Sequence, residues 1–338
     1  MTDKENKAKY YILAFSVLLA AVFTTSFAAG RYPISPGELL HVLTGKLMGS
    51  ARDWTNQVEI VIFRIRMPRV LAGILIGAGL STAGAAYQGL FRNPMVSPDV
   101  LGASAGAGFG AALSLFMGLG HVAVTANAFI CGIAAVGVVY LISTRARQNP
   151  TLGMVLAGIM IGSLFNSGTS YIKLVADPTN ILPAITYWLM GSIAGVREDD
   201  LVLAAVPISG GLLILFFLRW KMNLLAMGDD EARSMGVNTR ALRIVIVTSA
   251  TLITAACVSI SGLIGWVGLV IPHFARMIVG YDYRTMLPVT MLMGASFMLL
   301  VDVMARSIVT SEIPIGLLTA VVGAPFFLYL ILDRGNRI

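Results

Sequence analysis

Residues 219–243 read RWKMNLLAMGDDEARSMGVNTRALR and lie between two long apolar stretches. They form the only extended polar segment in the second half of a chain that is otherwise nearly all apolar. A membrane protein that keeps one charged, helix-forming loop on one face can use that loop to contact a soluble partner. The segment therefore favours a membrane assembly with a soluble partner over a free-standing channel.

The composition indicates a polytopic membrane protein. Of the 338 residues, 57% are apolar and 12% are charged, and the mean hydropathy is +0.82. Soluble domains contain about 45–50% apolar and about 25% charged residues. Apolar runs recur with short breaks, whereas a transmembrane barrel needs alternating strands of about ten residues. We expect an all-α polytopic fold that forms one transmembrane domain over residues 1–338.

Ten apolar segments are candidates for transmembrane helices, which need about 20 residues each. The predicted spans are 10–30, 68–91, 99–118, 122–143, 152–175, 200–219, 241–261, 263–280, 286–306 and 313–332. The stretch 243–280 is short for two spans, although Ser261-Gly262 and Gly265 supply a break and Pro272 interrupts its second half. If this stretch crosses only once, the count is nine and the C-terminus changes side.

Lysine and arginine positions predict the orientation, because cytoplasmic loops carry an excess of both. With ten spans, most of these residues fall on the side of the N-terminus, so both termini are predicted to be cytoplasmic in an inner membrane. The apolar run from Tyr10 to Gly30 is longer than the roughly 7–15 residues of a signal-peptide core, which favours an uncleaved first span. The net charge of +7 follows from this bias and indicates contact with membrane lipid, not with nucleic acid.

The longest predicted extramembrane loop ends in Arg64, Arg66 and Arg69 at the outer end of a span, and Asp302 and Arg306 lie near the outer end of another. One interpretation is that the arginines bind lipid headgroups and that Asp302 and Arg306 form an i,i+4 ion pair. The other is a docking patch, because arginine forms bidentate pairs with carboxylates. Arg66, Arg69 and Arg306 are the candidates for that patch.

Glycines recur at four-residue spacing within several spans. The pairs are Gly73/Gly77, Gly102/Gly106, Gly106/Gly110 and Gly158/Gly162. Such faces let helices approach closely, which predicts tight packing inside the subunit. An interface between subunits on one of these faces is the alternative.

Motifs that would carry chemistry are sparse. Residues 102–106 match G-x-S-x-G, the nucleophile elbow of hydrolases, but a serine hydrolase also needs a histidine base, and only His273 lies in a predicted span. The sequence contains no G-x-x-x-x-G-K-[ST] phosphate loop and no metal-ligand cluster. We expect a chain that is not an enzyme and binds no cofactor or metal, so active transport would need ATP hydrolysis by a partner.

Gly228 and Gly236 bracket a short predicted helix of about two turns inside the polar segment. Asp229 and Asp230 fall in its first turn, where acids interact favourably with the helix dipole. Its apolar residues would let the helix lie across the membrane face and fit a cleft on a soluble subunit. The alternative is a solvated interfacial helix.

These residues resemble the FecCD family, the permease subunits of ABC importers for iron-siderophores, haem and cobalamin (type II importers). The matching blocks span most of the chain: Arg66-Met67-Pro68-Arg69; residues 84–94, which read GAAYQGLFRNP; Pro98-Asp99-Val100-Leu101-Gly102; Gly228 to Val237; residues 265–276, which read GWVGLVIPHFAR; Asp302 to Arg306; and Ile313-Pro314-Ile315-Gly316 with Gly323-Ala324-Pro325-Phe326.

The resemblance implies ten spans per subunit and a homodimer with one pathway at its two-fold interface. It implies two ATP-binding cassette subunits, which hold ATP and Mg and contact the cytoplasmic loop at about 220–242. It also implies a periplasmic or lipoprotein substrate-binding protein that docks on Arg66, Arg69 and Arg306. The residues implied at the ATPase contact are Gly228, Asp229, Ala232, Met235, Gly236 and Val237. Those implied at the pathway or its inner gate are Thr151, Leu152, Asn166, Ser167, Thr169 and Ser170.

The expected function is passage of a metal chelate of the iron-siderophore, haem or cobalamin class across the inner membrane, driven by the partner ATPase. An oxyanion such as molybdate is the alternative cargo within the same family. A secondary carrier or channel without an ATPase is a second alternative, and an intramembrane serine hydrolase at Ser104 is a third.

Overall fold

The computed structural model describes residues 3–30, 32, 34–49, 53–145, 150–309 and 311–335, which are helical apart from short connections and contain no strand. The α-helices are α1 Asp3–Ala28, α2 Pro36–Met48, α3 Asn56–Glu59, α4 Met67–Leu90, α5 Ala103–Phe116, α6 His121–Ser143, α7 Pro150–Val175, α8 Ile181–Leu189, α9 Glu198–Met227, α10 Asp229–Ser234, α11 Thr239–Ser261, α12 Val267–Val279, α13 Tyr283–Ser307 and α14 Ile315–Gly335. A π-helical segment, Ile60–Arg66, joins α3 to α4, and a 3-10 helix, Pro98–Leu101, precedes α5. The all-α prediction is confirmed.

Each of the ten predicted spans coincides with a helix. In the described ranges, seven helices are long and apolar enough to cross a membrane, and three apolar helices are shorter: Ala103–Phe116, Val267–Val279 and Ile315–Leu328. At about 1.5 Å per residue, the 13 residues of α12 extend about 20 Å, less than a hydrocarbon core of about 30 Å. Ten full crossings therefore stay a prediction.

The break predicted near Gly262 is confirmed, but the predicted interruption at Pro272 is wrong. α11 ends before Gly262 (φ 68°), and α12 starts after Trp266 (φ 70°). Pro272 lies inside α12 and cannot donate to the carbonyl oxygen of Gly268, four residues earlier. Gln88 Nε2 donates to that oxygen at 3.4 Å instead. A polar side chain of α4 thus satisfies the carbonyl group that the proline leaves unpaired, and the helix continues.

The core is organised around α4, whose residues from Ile76 to Leu90 are all buried. It packs on α9, α11, α12 and α13. A Cβ atom on Gly77 would lie 2.2 Å from the carbonyl oxygen of Gly294, and one on Gly84 would lie 1.8 Å from that of Gly268. The backbones of α4, α12 and α13 therefore touch, which only glycine allows at these positions.

The predicted close packing by spaced glycines is confirmed inside the subunit for most of the pairs. A Cβ atom on Gly106 would lie 2.5 Å from the carbonyl oxygen of Cys131, and one on Gly110 would lie 2.3 Å from that of Asn127, so α5 contacts α6 closely. A Cβ atom on Gly158 would lie 2.1 Å from the carbonyl oxygen of Val100. Gly162 is the exception, since its nearest neighbours would be 3.9 Å away.

Candidate functional site

The short helix predicted between Gly228 and Gly236 is present as α10, with six residues. Its first hydrogen bond runs from the amide of Ala232 to the carbonyl oxygen of Gly228 at 3.0 Å. Gly236 has a φ of 78°, a conformation that favours glycine and ends the helix. The amide of Val237 donates to the carbonyl oxygen of Ala232 at 3.0 Å, so the chain folds back tightly before α11.

α10 presents one side to the subunit and the other to the outside. Ala232 is fully buried, and Val237 packs against the main core. Met235 is 58% exposed and Met227, just before the helix, is 65% exposed. Two exposed methionines next to a helix with a buried anchor form an adaptable apolar surface of the kind used for protein contacts. We call Met227, α10 and Met235 the coupling surface.

Asp229 fixes the coupling surface to two other elements. Its carboxylate accepts from Arg243 of α11 at 2.7 and 2.8 Å, and from Arg92, just after α4, at 3.2 Å. The sequence placed Asp229 in the first turn of the helix but did not identify these partners, which lie 14 and 137 residues away. The ion pairs link α10 directly to the end of α4.

The outer arginines lie inside the fold. Arg66 and Arg69 are 4% and 7% exposed. Arg66 donates to the carbonyl oxygens of Phe27 and Tyr32. Arg306 donates to the carbonyl oxygens of Ala29 at 2.8 Å and Ser26 at 2.6 Å. The last carbonyl groups of a helix lack partners within it, so these two guanidinium groups complete the C-terminal end of α1.

Asp302 lies at the centre of the outer arginines and is fully buried. Its Oδ1 accepts from Arg69 Nε at 2.7 Å, and its Oδ2 lies 3.3 Å from Arg306 Nε, the i,i+4 contact that the spacing predicted. Arg69 also donates to Glu312 at 3.0 Å. We call Arg66, Arg69, Asp302, Arg306 and Glu312 the outer cluster.

Docking of a partner on the outer cluster stays a prediction. Its three guanidinium groups have partners within the chain, so an acidic partner would have to compete for them. Arg64, from the same loop, is instead largely exposed and pairs only loosely with Glu198, at 3.5 Å. The sequence could not distinguish Arg64 from Arg66, because burial depends on how the π-helical segment turns.

A cavity of about 650 Å³ lies between the loop after α4, one side of α7 and the turn after α11. Asn166, one of the predicted pathway residues, lines it, together with Ser163. Asp99 also lines the cavity and accepts a hydrogen bond from Ser104. Among the described residues around the cavity, Asp99 is the one ionisable side chain.

The other predicted pathway residues lie along α7. Leu152, Ser167 and Ser170 are exposed on this helix but are not among the residues that line the cavity, and Thr169 is buried. The side chain of Thr151 lies outside the described residues. Ser170 Oγ donates to the carbonyl oxygen of Asn166 at 2.9 Å, so its hydroxyl is used within the helix. The structure therefore brings Asn166, but not the whole predicted set, to the cavity.

The G-x-S-x-G match has no catalytic arrangement around it in the described part of the chain. Ser104 donates to a carboxylate, Asp99, and not to a histidine. His121 pairs with Asp200 at 2.7 Å and His41 pairs with Asp53 at 2.9 Å. Nucleophilic catalysis needs a base in hydrogen-bond reach of the serine, so the structure gives the hydrolase alternative no support.

Comparisons with known proteins give a family match and several close relatives. The model of the FecCD transport family matches residues 18–333. The chain is 38% identical to the molybdate import system permease protein MolB of Haemophilus influenzae over 96% of both chains. It is 35% identical to the Fe(3+)-citrate import system permease protein YfmE of Bacillus subtilis, over 98% of this chain and 97% of that one.

Two further similar proteins are a permease named for another cargo and a transporter with a solved structure. The chain is 36% identical to the vitamin B12 import system permease protein BtuC of Escherichia coli over 96% of both chains. A solved structure described as an inward-facing conformation of a metal-chelate type ABC transporter matches with a TM-score of 0.84 and 37% identity. That match covers 95% of this chain and 98% of the other.

Proposed function

This chain belongs to the FecCD transport family and is the permease of an ABC importer, and from that premise we propose that it passes a metal chelate across the inner membrane. Two copies form one pathway, two ATP-binding cassette subunits contact the coupling surface, and a substrate-binding protein docks on the outer cluster. ATP and Mg belong to the partner ATPase. Both termini lie in the cytoplasm.

The charge of the cavity supports a chelate as cargo. Asp99 is an acid, and the described residues around the cavity include no lysine, arginine or histidine. The described lining offers no cation to molybdate, which is a dianion, whereas amide and hydroxyl groups such as those of Asn166 and Ser163 suit a large, weakly held complex. Molybdate is the second candidate, and the likeness to MolB favours it. Uptake of radioactive molybdate or ferric chelate by vesicles that contain the whole importer distinguishes the two.

The observation that carries the mechanism is the attachment of α10 to the end of α4 through Asp229 and Arg92. Closure of the ATPase dimer would move α10, and the ion pair would transmit that movement to the helix that leads into the cavity loop. Coupling of this kind requires the ATPase to bind the two conformations of the permease with different affinity.

Substitution of Met235 by aspartate tests the coupling surface. Because Met235 is exposed, the fold should tolerate the change, but a charge in an apolar contact should abolish transport and ATPase stimulation together. The control is Met117→Asp, since Met117 is 62% exposed at the end of α5 and belongs neither to the coupling surface nor to the outer cluster. Unchanged transport by the Met235 variant would refute the assignment.

A further inference from the structure

A second, apolar cavity of about 170 Å³ opens between α6 and α11. It is lined by Ile133, Val136, Gly137, Tyr140, Ile244, Val247, Thr248, Thr251 and Leu252. A Cβ atom on Gly137 would have no other atom within 4 Å, so the glycine leaves the groove open instead of allowing close packing. The groove runs along two antiparallel helices, both long and apolar enough to cross a membrane.

The chemistry of the groove suits a hydrocarbon chain. By contrast, the larger cavity is lined partly by Ser163 and Asn166 of α7. The groove has only two threonines and a tyrosine as polar residues, and Thr251 is occupied by a hydrogen bond of 2.9 Å with Tyr87. The groove and the larger cavity share no lining residue.

Two exposed cations lie at one end of the groove. Arg145 follows Tyr140 by five residues at the end of α6, and Arg240 precedes Ile244 by four residues at the start of α11. Both side chains are exposed, and within the described residues neither guanidinium group has a hydrogen bond or an ion pair. Arg243, one turn further along, is instead held by Asp229. The end of the groove is therefore positively charged.

We propose that the groove binds one acyl chain of an anionic phospholipid, whose phosphate contacts Arg145 and Arg240. The hydrocarbon fills the space beside Gly137, and the two arginines select the charge of the headgroup. A segment of protein in the groove would need hydrogen-bond partners for its backbone groups at this depth. Thr248 and Tyr140 are the lining residues that could provide them.

The position of the site links lipid composition to the coupling surface. Arg240 is two residues beyond Asn238, whose side chain caps α11 directly after α10. A phosphate bound there raises the negative charge beside the Arg243–Asp229 pair, which holds α10. If α10 contacts the ATPase as proposed above, the bound lipid acts on that same helix.

Native mass spectrometry of the purified full-length protein tests the proposal. Dioleoyl phosphatidylglycerol and dioleoyl phosphatidylcholine are added in separate experiments. The wild-type protein should retain one more lipid molecule per chain with phosphatidylglycerol than with phosphatidylcholine. Gly137→Leu fills the groove and should abolish this extra lipid. Gly210→Leu is the matched control, because Gly210 lies in α9 and also has open space at its Cβ position; it should retain the lipid.

The charge selection is tested separately. The double variant Arg145→Gln and Arg240→Gln should lower retention of phosphatidylglycerol to the level of phosphatidylcholine and leave the latter unchanged. Equal retention of the two lipids by the wild type overturns the proposal, and so does full retention by Gly137→Leu. If Gly137→Leu instead splits a dimer without changing lipid retention, a second copy occupies the groove and the proposal is wrong. Elution of each variant as a single sharp peak confirms that it is folded.

Discussion

Asp302 shows how this fold keeps a charged group away from water. The carboxylate is fully buried and lies between Arg69 of α4 and Arg306 of its own helix. Because the two cations belong to different helices, the ion pairs also fix how α4 and α13 meet. Removal of one partner from a buried pair leaves an uncompensated charge, which costs about 3–5 kcal/mol.

Asp302→Asn should therefore destabilise the protein by about 3–5 kcal/mol, because it leaves the buried guanidinium group of Arg306 without a carboxylate and Arg69 with Glu312 alone. Arg64→Gln is the control, since Arg64 is exposed and its pair with Glu198 at 3.5 Å should contribute about 0–1 kcal/mol. Reversible unfolding of both variants in mixed micelles measures the free energies. Similar losses for the two variants would contradict the buried ion-pair account.

The sequence predicted part of the outer cluster. The spacing of Asp302 and Arg306 showed that they share a helix face, which is a local property. It could not show that Arg69 reaches Asp302, because the two are 233 residues apart and meet only through the packing of α4 on α13. Burial of Arg66 was likewise invisible, since its partners are backbone oxygens near the end of α1, which carry no side-chain signal.

At the scale of elements, close contact between backbones organises the centre of the subunit. Gly84 of α4 lies against Gly268 of α12, and Gly77 of α4 lies against Gly294 of α13. The same carbonyl group of Gly268 accepts from Gln88, which compensates for Pro272. Any side chain at Gly84 would push α12 away and break this hydrogen bond as well.

Gly84→Ala should destabilise the protein by about 1–3 kcal/mol, the usual effect of overpacking. Gly210→Ala should be neutral or stabilise it by up to about 1 kcal/mol, because its Cβ meets open space and alanine has the higher helix propensity. Thermal unfolding of the two purified variants in the same detergent provides the comparison. Equal stability of the two variants would show that α12 can move to accept the methyl group.

The positions of the long helices could be predicted because apolar length is encoded locally. α2 and α8 were not predicted, since their 13 and 9 residues fall within segments that read as loops. The sequence does contain a signal for the start of α2. Ser35 Oγ accepts a hydrogen bond from the amide of Glu38 at 3.1 Å and so caps the helix, and Pro36 occupies its first turn. The 4-residue glycine spacing predicted close contacts but could not say which helix fills each one.

At the scale of the whole molecule, the buried helix α4 joins the outer cluster to the coupling surface. Arg69 at the start of α4 belongs to the outer cluster, and Arg92 just after its end binds Asp229 of α10. The cavity loop begins one residue later, at Asn93. A rigid α4 with partners at both ends could transmit a movement of α10 to the cavity loop and to the outer surface.

This arrangement predicts that transport depends on energy supplied from outside the chain. The sequence has no phosphate loop, so vesicles that contain this polypeptide without partners should not accumulate cargo against a gradient. Vesicles that also contain the ATPase, with the substrate-binding protein on the opposite side, should accumulate cargo only when ATP is present on the side of α10. A variant of the ATPase that binds but does not hydrolyse ATP is the control, and it should stop accumulation without dissociating the complex. Accumulation by the polypeptide without its partners would instead identify a secondary carrier, and the ion pair between Asp229 and Arg92 would then be a purely structural contact.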